Sequence, residues 1–327
     1  MARLFVFCFL CVWGGHVSFA SDENPDHLRI PDEFEAIGGH ALGLGHGGMA
    51  AISGLSSIRA NPAMLAMTKQ YSVVGGYHWP TYGRNFYQVG VVDSNTSNLA
   101  AGLIYNGFMD GPEDSFEGLD RQFDSPVKSR ISLGFAGTSQ LLAFGVSGSF
   151  VTAVSTEGSE LKETKGLTLG LGVVGLLTPA IRFGLSAENL NNKEVAFVAP
   201  RTYRAALAYT LERVTLHLDW KRRDRVDGFE LEPELSYFSL AGPGNQAPDL
   251  KNFEDLATAS FSVQIYDLLR VVGAYAQSIG EQERREMATG GLALVQKGFS
   301  LSYNLARPYL AQPEVHSNIN INLGIAL

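Results

Sequence analysis

The closing stretch "NININLGIAL", residues 318–327, decides how the whole chain is read. Ile319, Ile321, Leu323, Ile325 and Leu327 hold the odd positions. Asn318, Asn320, Asn322, Gly324 and Ala326 hold the even ones. A helix would spread these aliphatics around its axis with a period of 3.6, whereas a strand sends successive side chains to opposite faces. One face here is wholly aliphatic and the other polar or small, so the stretch is a strand of period two. The same alternation runs through 167–172, 181–186, 214–220 and 299–305.

Working outward, the one segment that competes as a membrane helix is 131–156, where 26 consecutive residues carry no charge. Gly134, Gly137, Gly145 and Gly148 fall inside it, and each weakens a helix by about 1 kcal/mol relative to alanine. Thr138-Ser139-Gln140 sits mid-run, where a turn would fall, so two strands joined by a tight turn fit better. Applied along the chain, period two predicts strands near 70–79, 84–93, 98–108, 128–137, 140–153, 164–177, 180–188, 201–210, 213–221, 256–266, 270–279, 286–296, 298–306 and 317–327. That makes fourteen, an even number as a closed single-chain barrel requires. Short turns then fall on one side, and long polar loops (107–127, 155–163, 189–200, 222–255 and 280–285) on the other. The segment 226–238 has strand character too and is placed within the 222–255 excursion to keep the parity.

Alternation alone does not say whether the apolar face meets a protein core or lipid. Three features favour lipid. The predicted strands reach the 9–11 residues that a tilted strand needs to cross a bilayer. Aromatic residues gather near strand ends, among them Tyr77, Trp79, Trp220, Tyr303 and Tyr309, where an amphipathic ring suits the membrane–water interface. The N-terminus reads as a secretory signal: Arg3, an apolar run from Leu4 to Val12, and the small-residue site Ser18-Phe19-Ala20, with cleavage expected after Ala20. Cys8 and Cys11 both lie in that segment, so the mature chain is expected to have neither disulfides nor thiolate chemistry. It keeps 24 basic and 33 acidic residues, a formal charge of −9. That argues against nucleic acid, whose binding rests on neutralising phosphates. The basic cluster Lys221-Arg222-Arg223 runs straight into Asp224. The expected fold is therefore all-β: a 14-stranded antiparallel transmembrane barrel over 69–327, in the outer membrane of a Gram-negative bacterium, with lipid and the barrel-assembly machinery as partners.

Several inferred inward faces are small: Ser132 with Gly134, Gly145 with Ser147, Gly170 with Gly172, Ala206 with Ala208, and Ser300 with Ser302. Such a lumen leaves room for another segment, and 21–68 precedes the first strand. Within it Gly43, Gly45 and Gly48 match G-x-G-x-x-G. A dinucleotide fingerprint should follow a strand and open a helix in a βαβ unit, and neither context exists here. The glycines are instead expected to let this segment pack closely as a plug in the lumen, with Asn61-Pro62-Ala63 breaking two short helical turns. Asn61, Pro62, Ala63 and Leu65 form the plug motif with the three glycines. Arg182, Arg204, His217 and Asp219 fall on the lumen-facing parity. His217 and Asp219 lie two apart on one strand, an arrangement that reads as a lumen hydrogen-bond network rather than a catalytic dyad. No G-x-S-x-G elbow occurs, and His40 and His46 have no cysteine beside them, so no catalytic residue, metal site or cofactor is assigned.

"ALGLGHGGMAAISGLSSIRANPAMLA" (41–66) resembles the N-terminal signature of FadL-type outer-membrane barrels, in which a glycine-rich stretch leads into Asn-Pro-Ala followed by Leu. The stretches at 181–190, 201–211, 214–220 and 299–327 resemble the compact relatives of that family, including the accessory barrels of type IX secretion. The resemblance implies a fourteen-stranded barrel plugged by its N-terminus. From the transporters it implies passage of hydrophobic molecules, and the short length implies reduced extracellular loops. Two functions follow as expectations. One is a plugged channel for uptake of small hydrophobic compounds. The other is a non-conducting structural or secretion-accessory barrel that holds a partner protein.

Overall fold

The computed structural model describes residues 44, 47–52, 54–67, 71–80, 85–96, 98–109, 127–157, 160–193, 195–196, 199–224, 253–279, 286–296, 299–309 and 316–325. The expected signal at 1–20, Gly43, Gly45, His40, His46 and the segment 226–238 lie outside these residues.

After a 3-10 turn, Gly54–Ser56, come two one-turn helices, α1 (Ser57–Ala60) and α2 (Met64–Met67). The strands follow as β1 (Tyr71–Pro80), β2 (Asn85–Asp93), β3 (Leu99–Met109), β4 (Val127–Thr138), β5 (Leu142–Glu157), β6 (Glu160–Leu176) and β7 (Ile181–Glu188). They continue as β8 (Thr202–Leu211), β9 (Val214–Asp224), β10 (Phe253–Ile265), β11 (Leu269–Ile279), β12 (Glu286–Gln296), β13 (Phe299–Tyr309) and β14 (His316–Ile325). Each strand pairs antiparallel with its sequence neighbours, and β1 also pairs with β14 from Tyr71↔Ile325 to Pro80↔His316, which closes the sheet into a ring.

The two faces of the ring differ as the alternation requires. On β9, Leu216 and Leu218 are 48% and 62% exposed, while His217 and Asp219 between them are 4% and 9% exposed. Leu167, Leu169 and Leu171 on β6, and Leu103, Leu133 and Phe144 on β3 to β5, join the same outward apolar surface. Tyr77, Trp220 and Tyr303 are exposed on that face as well. A one-residue slip of any strand would turn its aliphatic row into the interior. Leu218→Arg, which puts a charge in the middle of the outward row, is expected to cost roughly 2–4 kcal/mol. Urea unfolding of the barrel refolded into lipid vesicles measures this, and an unchanged midpoint would remove Leu218 from the lipid-facing wall.

One loop expectation is corrected. The stretch 155–163 is mostly strand: β5 and β6 stay paired up to Glu157↔Glu160. The apolar alternation stops at Leu167, and Lys165 and Glu163 follow on the outward face, 3.3 Å apart in an exposed ion pair. The apolar rhythm ends there, but the backbone ladder continues between strands whose outward faces carry polar side chains. β5 and β6, 16 and 17 residues long, thus rise well beyond the roughly 9–11 residues of a crossing strand.

β7 behaves in the opposite way. It has 8 residues and pairs with β6 only over Leu171–Leu176. At Asn189 the chain takes φ 59, a left-handed conformation that asparagine tolerates better than most residues. There it leaves the wall. The connection that follows folds inward, and Val195 covers Gly166 on the inner face of β6.

Candidate functional site

The described part of the N-terminal segment lies against the inner face of the ring. Leu55, Ile58, Ala63, Met64 and Leu65 form one buried cluster with Val92, Ile104, Ala136, Ala143, Val151 and Val174 of the strands. Val195 and Ala199, from the inward-folded connection after β7, join the same cluster. The segment therefore fills the β2–β7 side of the interior from one end, and that connection meets it from the other.

The Asn61-Pro62-Ala63 motif sits at the closest approach. Asn61 Nδ2 donates to the Val173 carbonyl at 3.2 Å, and Asn61 Oδ1 accepts from Ala63 N at 3.2 Å. The second bond closes an Asx turn between α1 and α2. A Cβ added at Gly172 would strike Asn61 and Pro62, and one at Gly145 would strike the backbone of Pro62 and Ala63. Those strand glycines are the sequence's way of admitting the motif, because any side chain there would occupy its space. Both lie close to the short-turn ends of β5 and β6.

Further round, Gly48 takes φ +83, a conformation glycine enters without penalty. Its N–H donates to Asp219 Oδ2 at 2.8 Å, and Met49 N–H donates to Asp219 Oδ1 at 2.9 Å. One carboxylate on β9 thus caps two successive backbone donors of the segment. Asp219→Ala leaves both N–H groups buried without an acceptor, which costs roughly 1–3 kcal/mol each. Limited proteolysis should then cut the N-terminal segment faster while the barrel stays resistant. Equal cleavage of variant and wild type would refute the anchor. Asp219→Asn, which retains one acceptor, should fall between them.

The strongest charges converge on Glu188 at the end of β7. Arg59 Nε of α1 lies 2.6 Å from Glu188 Oε1, Arg130 Nη2 of β4 lies 3.1 Å from the same oxygen, and Arg204 Nη1 of β8 lies 3.2 Å from Oε2. Arg130 Nη2 also bonds Ser149 Oγ at 2.9 Å and Asn189 Oδ1 at 3.0 Å. Arg204 Nη1 reaches the carbonyls of Arg59 and Ala60 at 3.4 Å, and Ser186 Oγ donates to the Ala60 carbonyl at 2.8 Å. All four charged side chains are almost fully buried. Buried ions persist only when paired and hydrogen-bonded, and here one carboxylate serves three guanidinium groups. The next residue, Asn189, donates from Nδ2 to the Pro200 carbonyl at 2.9 Å. Glu188-Asn189 thus joins the N-terminal segment, the barrel wall and the inward-folded connection.

Of the residues singled out in the sequence, Gly48, Asn61, Pro62, Ala63, Leu65, Arg204 and Asp219 meet at this contact, and Ala63 and Leu65 are buried. His217 is buried beside Gly48, and Arg182 is half-buried on β7. Gly43 and Gly45 lie outside the described residues. Arg59, Arg130 and Glu188 were not singled out. Parity carried the signal for two of them. Glu188 shares its face with Gly184 and Ser186, and Arg130 shares its face with Ser132 and Gly134. Among the described residues no three His, Cys, Asp or Glu side chains are grouped to hold a metal ion.

No family model and no curated protein matches this chain. Solved structures do. The toluene transporter TbuX of Ralstonia pickettii superposes with a TM-score of 0.60 at 11% identity, over 89% of this chain and 99% of that one. The CymD monoaromatic hydrocarbon channel gives 0.59 at 12%, over 88% and 96%. The toluene transporter TodX of Pseudomonas putida gives 0.55 at 13%, over 87% and 96%. None of these three is a type IX accessory barrel. At such identities the likeness is one of fold, and the fold is that of the FadL-type transport barrels which the glycine-rich N-terminal stretch resembles.

Proposed function

We propose that the chain is a Gram-negative outer-membrane barrel of fourteen strands that takes up small hydrophobic compounds. In this reading the signal at 1–20 directs export, the barrel-assembly machinery inserts 69–327, and 21–68 is a plug in the lumen. The observation that carries the proposal is how the N-terminal segment is held. It is packed inside a ring whose outer face is an aliphatic belt, and its described anchors are hydrogen bonds and ion pairs to Val173, Ser186, Glu188, Arg204 and Asp219. None of these contacts belongs to the strand ladder, so displacing the segment would leave the pairing of the wall intact. The three similar structures named above are a hydrocarbon channel and two toluene transporters, which agrees with a hydrophobic solute. Arg182, Arg204, His217 and Asp219 supply the polar lining against which the plug moves. The reading assigns no catalytic step, no cofactor and no nucleic acid.

The test is Asn61→Gly combined with Pro62→Gly, which removes the Asx turn and the rigid break. Cells carrying the variant are expected to admit bulky hydrophobic antibiotics faster than wild-type cells with equal amounts of heat-modifiable barrel. Unchanged permeability with a correctly assembled barrel overturns the channel. It would turn attention to a barrel that holds a secreted partner protein.

A further inference from the structure

The basic run Lys221-Arg222-Arg223 is divided between the two faces of β9. Arg222 stands on the outward face, where its Nε and Nη2 donate to Asp255 Oδ1 and Oδ2 at 2.9 and 2.8 Å. Lys221 and Arg223 are buried on the inward face and continue the row of His217 and Asp219 toward the long-loop end. Lys221 is the Cα partner of Arg204 on one side and of the buried Leu256 on the other. The two described acids of this wall are engaged elsewhere. Glu188 serves Arg59, Arg130 and Arg204, and Asp219 takes the N–H groups of Gly48 and Met49. The register adds Glu254, the Cα partner of Arg223. Arg59, Arg130, Arg182, Arg204, Lys221 and Arg223 thus share one side of the interior with three acids. Buried cations persist when negative charge balances them, so this wall asks for more carboxylates than its own strands bring.

The chain itself carries the complement. Residues 22–35, DENPDHLRIPDEFE, hold Asp22, Glu23, Asp26, Asp32, Glu33 and Glu35 against a single arginine, Arg29. They lie outside the described residues, but the chain that follows them does not. Leu44 is fully buried, and its carbonyl accepts from Gly47 N at 2.9 Å. A Cβ added at Gly47 would strike Asp219 and Thr258. Lys221 and Leu256 are the next inward residues above that pair. Inward positions recur about every 6.7 Å along a strand, whereas the stretch from Glu35 to Leu44 spans up to about 30 Å. The acidic segment therefore reaches both cations. Two other segments compete less well. The stretch 110–124 is as acidic, but it springs from β3, nearly across the ring from β9. The stretch 225–252 follows β9, but its acids are spread thinly and it carries Arg225 and Lys251.

We propose that the acidic segment 22–35 lies along the inner face of β9 and pairs its carboxylates with Lys221 and Arg223. The inference rests on the plug reading above and extends it. The N-terminal part of the chain is then held at two levels of one strand, with opposite polarity. At Asp219 the wall supplies the acid and the segment supplies the donors. At Lys221 and Arg223 the wall supplies the donors and the segment supplies the acids.

The experiment is amide hydrogen exchange, read by mass spectrometry, on the exported barrel purified in a mild detergent. In wild type the amides of 22–35 are expected to exchange at least about tenfold more slowly than in a free peptide of the same sequence. Asp32→Asn with Glu33→Gln and Glu35→Gln leaves the wall untouched and is expected to remove that protection. Lys221→Glu with Arg223→Glu is expected to remove it as well, because like charges then face each other. Adding Asp32→Lys, Glu33→Lys and Glu35→Lys to that wall variant reverses both partners and is expected to restore it. Heat-modifiable migration reports an intact barrel in each case, and where the wall variant fails to assemble, the variant with three neutralised acids decides. The proposal is overturned if wild-type 22–35 exchanges as the free peptide does, or if the neutralised variant stays protected. It is also overturned if the wall substitutions speed exchange in 110–124 or 225–252 and leave 22–35 unchanged, which would make a loop the occupant. Failure of the plug reading shows separately, as free exchange throughout 44–67.

Discussion

Glu188→Leu is expected to destabilise the barrel more than any other single interior substitution. Removing the carboxylate leaves Arg59, Arg130 and Arg204 buried around an apolar side chain, with no acid to balance them. Breaking a buried pair from one side costs about 3–5 kcal/mol. Here three cations lose the same partner, so the upper part of that range applies. Two responses are open to the chain. The cations stay and the midpoint of urea unfolding falls, or Arg59 leaves with the N-terminal segment and the interior floods. Glu188→Gln retains acceptor and donor atoms but no charge, and should lose less. Because the group is buried, added salt should leave the loss almost unchanged, unlike that of an exposed pair. Unfolding in lipid vesicles, with trypsin cleavage near Arg59 read in parallel, separates the two responses. A midpoint within about 0.5 kcal/mol of wild type, the range of neutral surface substitutions, would sink the claim.

The second large effect is expected on permeability. Gly145→Val places a branched side chain where the backbone of Pro62 and Ala63 now lies. The obstacle is main chain, so no rotamer change relieves it. Overpacking of this kind costs about 1–3 kcal/mol. The N-terminal segment is held by non-covalent contacts and the wall by a continuous ladder, so the segment gives way. If that strain is released by displacement, the displaced population rises roughly 5- to 150-fold. Influx of a hydrophobic dye into cells should rise with it. Gly137→Val is the control. It sits on β4, and an added Cβ there meets nothing within 4 Å. Equal influx in both variants would separate the wall glycines from any role in closure.

The fold was largely legible because a wall with an aliphatic outer face and a polar or small inner face imposes period two on its strands. Strand bounds read from alternation differ from those found by a few residues at most sites. Alternation failed where the outward positions turn polar. Above Leu167 the β5–β6 hairpin runs on through Glu163 and Lys165 with no apolar rhythm, so it looked like a loop. The Glu188 cluster was half legible. Parity placed Arg204 and Asp219 inside, and the same rule applied to Arg130 and Glu188 would have found two more. Nothing in the sequence could pair them, however. Arg59 and Glu188 are 129 residues apart, and their meeting depends on where the N-terminal segment lies inside the ring. The strand glycines were read as spare room. Which of them receive the Asn-Pro-Ala motif follows only from the register that sets Gly145 opposite Gly172.

The order of pairing around the ring bears on how the molecule comes to exist. Every strand pairing but one joins neighbours in sequence. Only β1 with β14 joins the two ends of the sheet, and that long closure makes the slowest contact. Until it forms, the growing sheet is an open trough with two bare edges. The N-terminal segment touches β2 to β10, strands that follow it along the chain. A segment packed against so many strands of that trough ties together parts of the wall that the ladder links only through their neighbours.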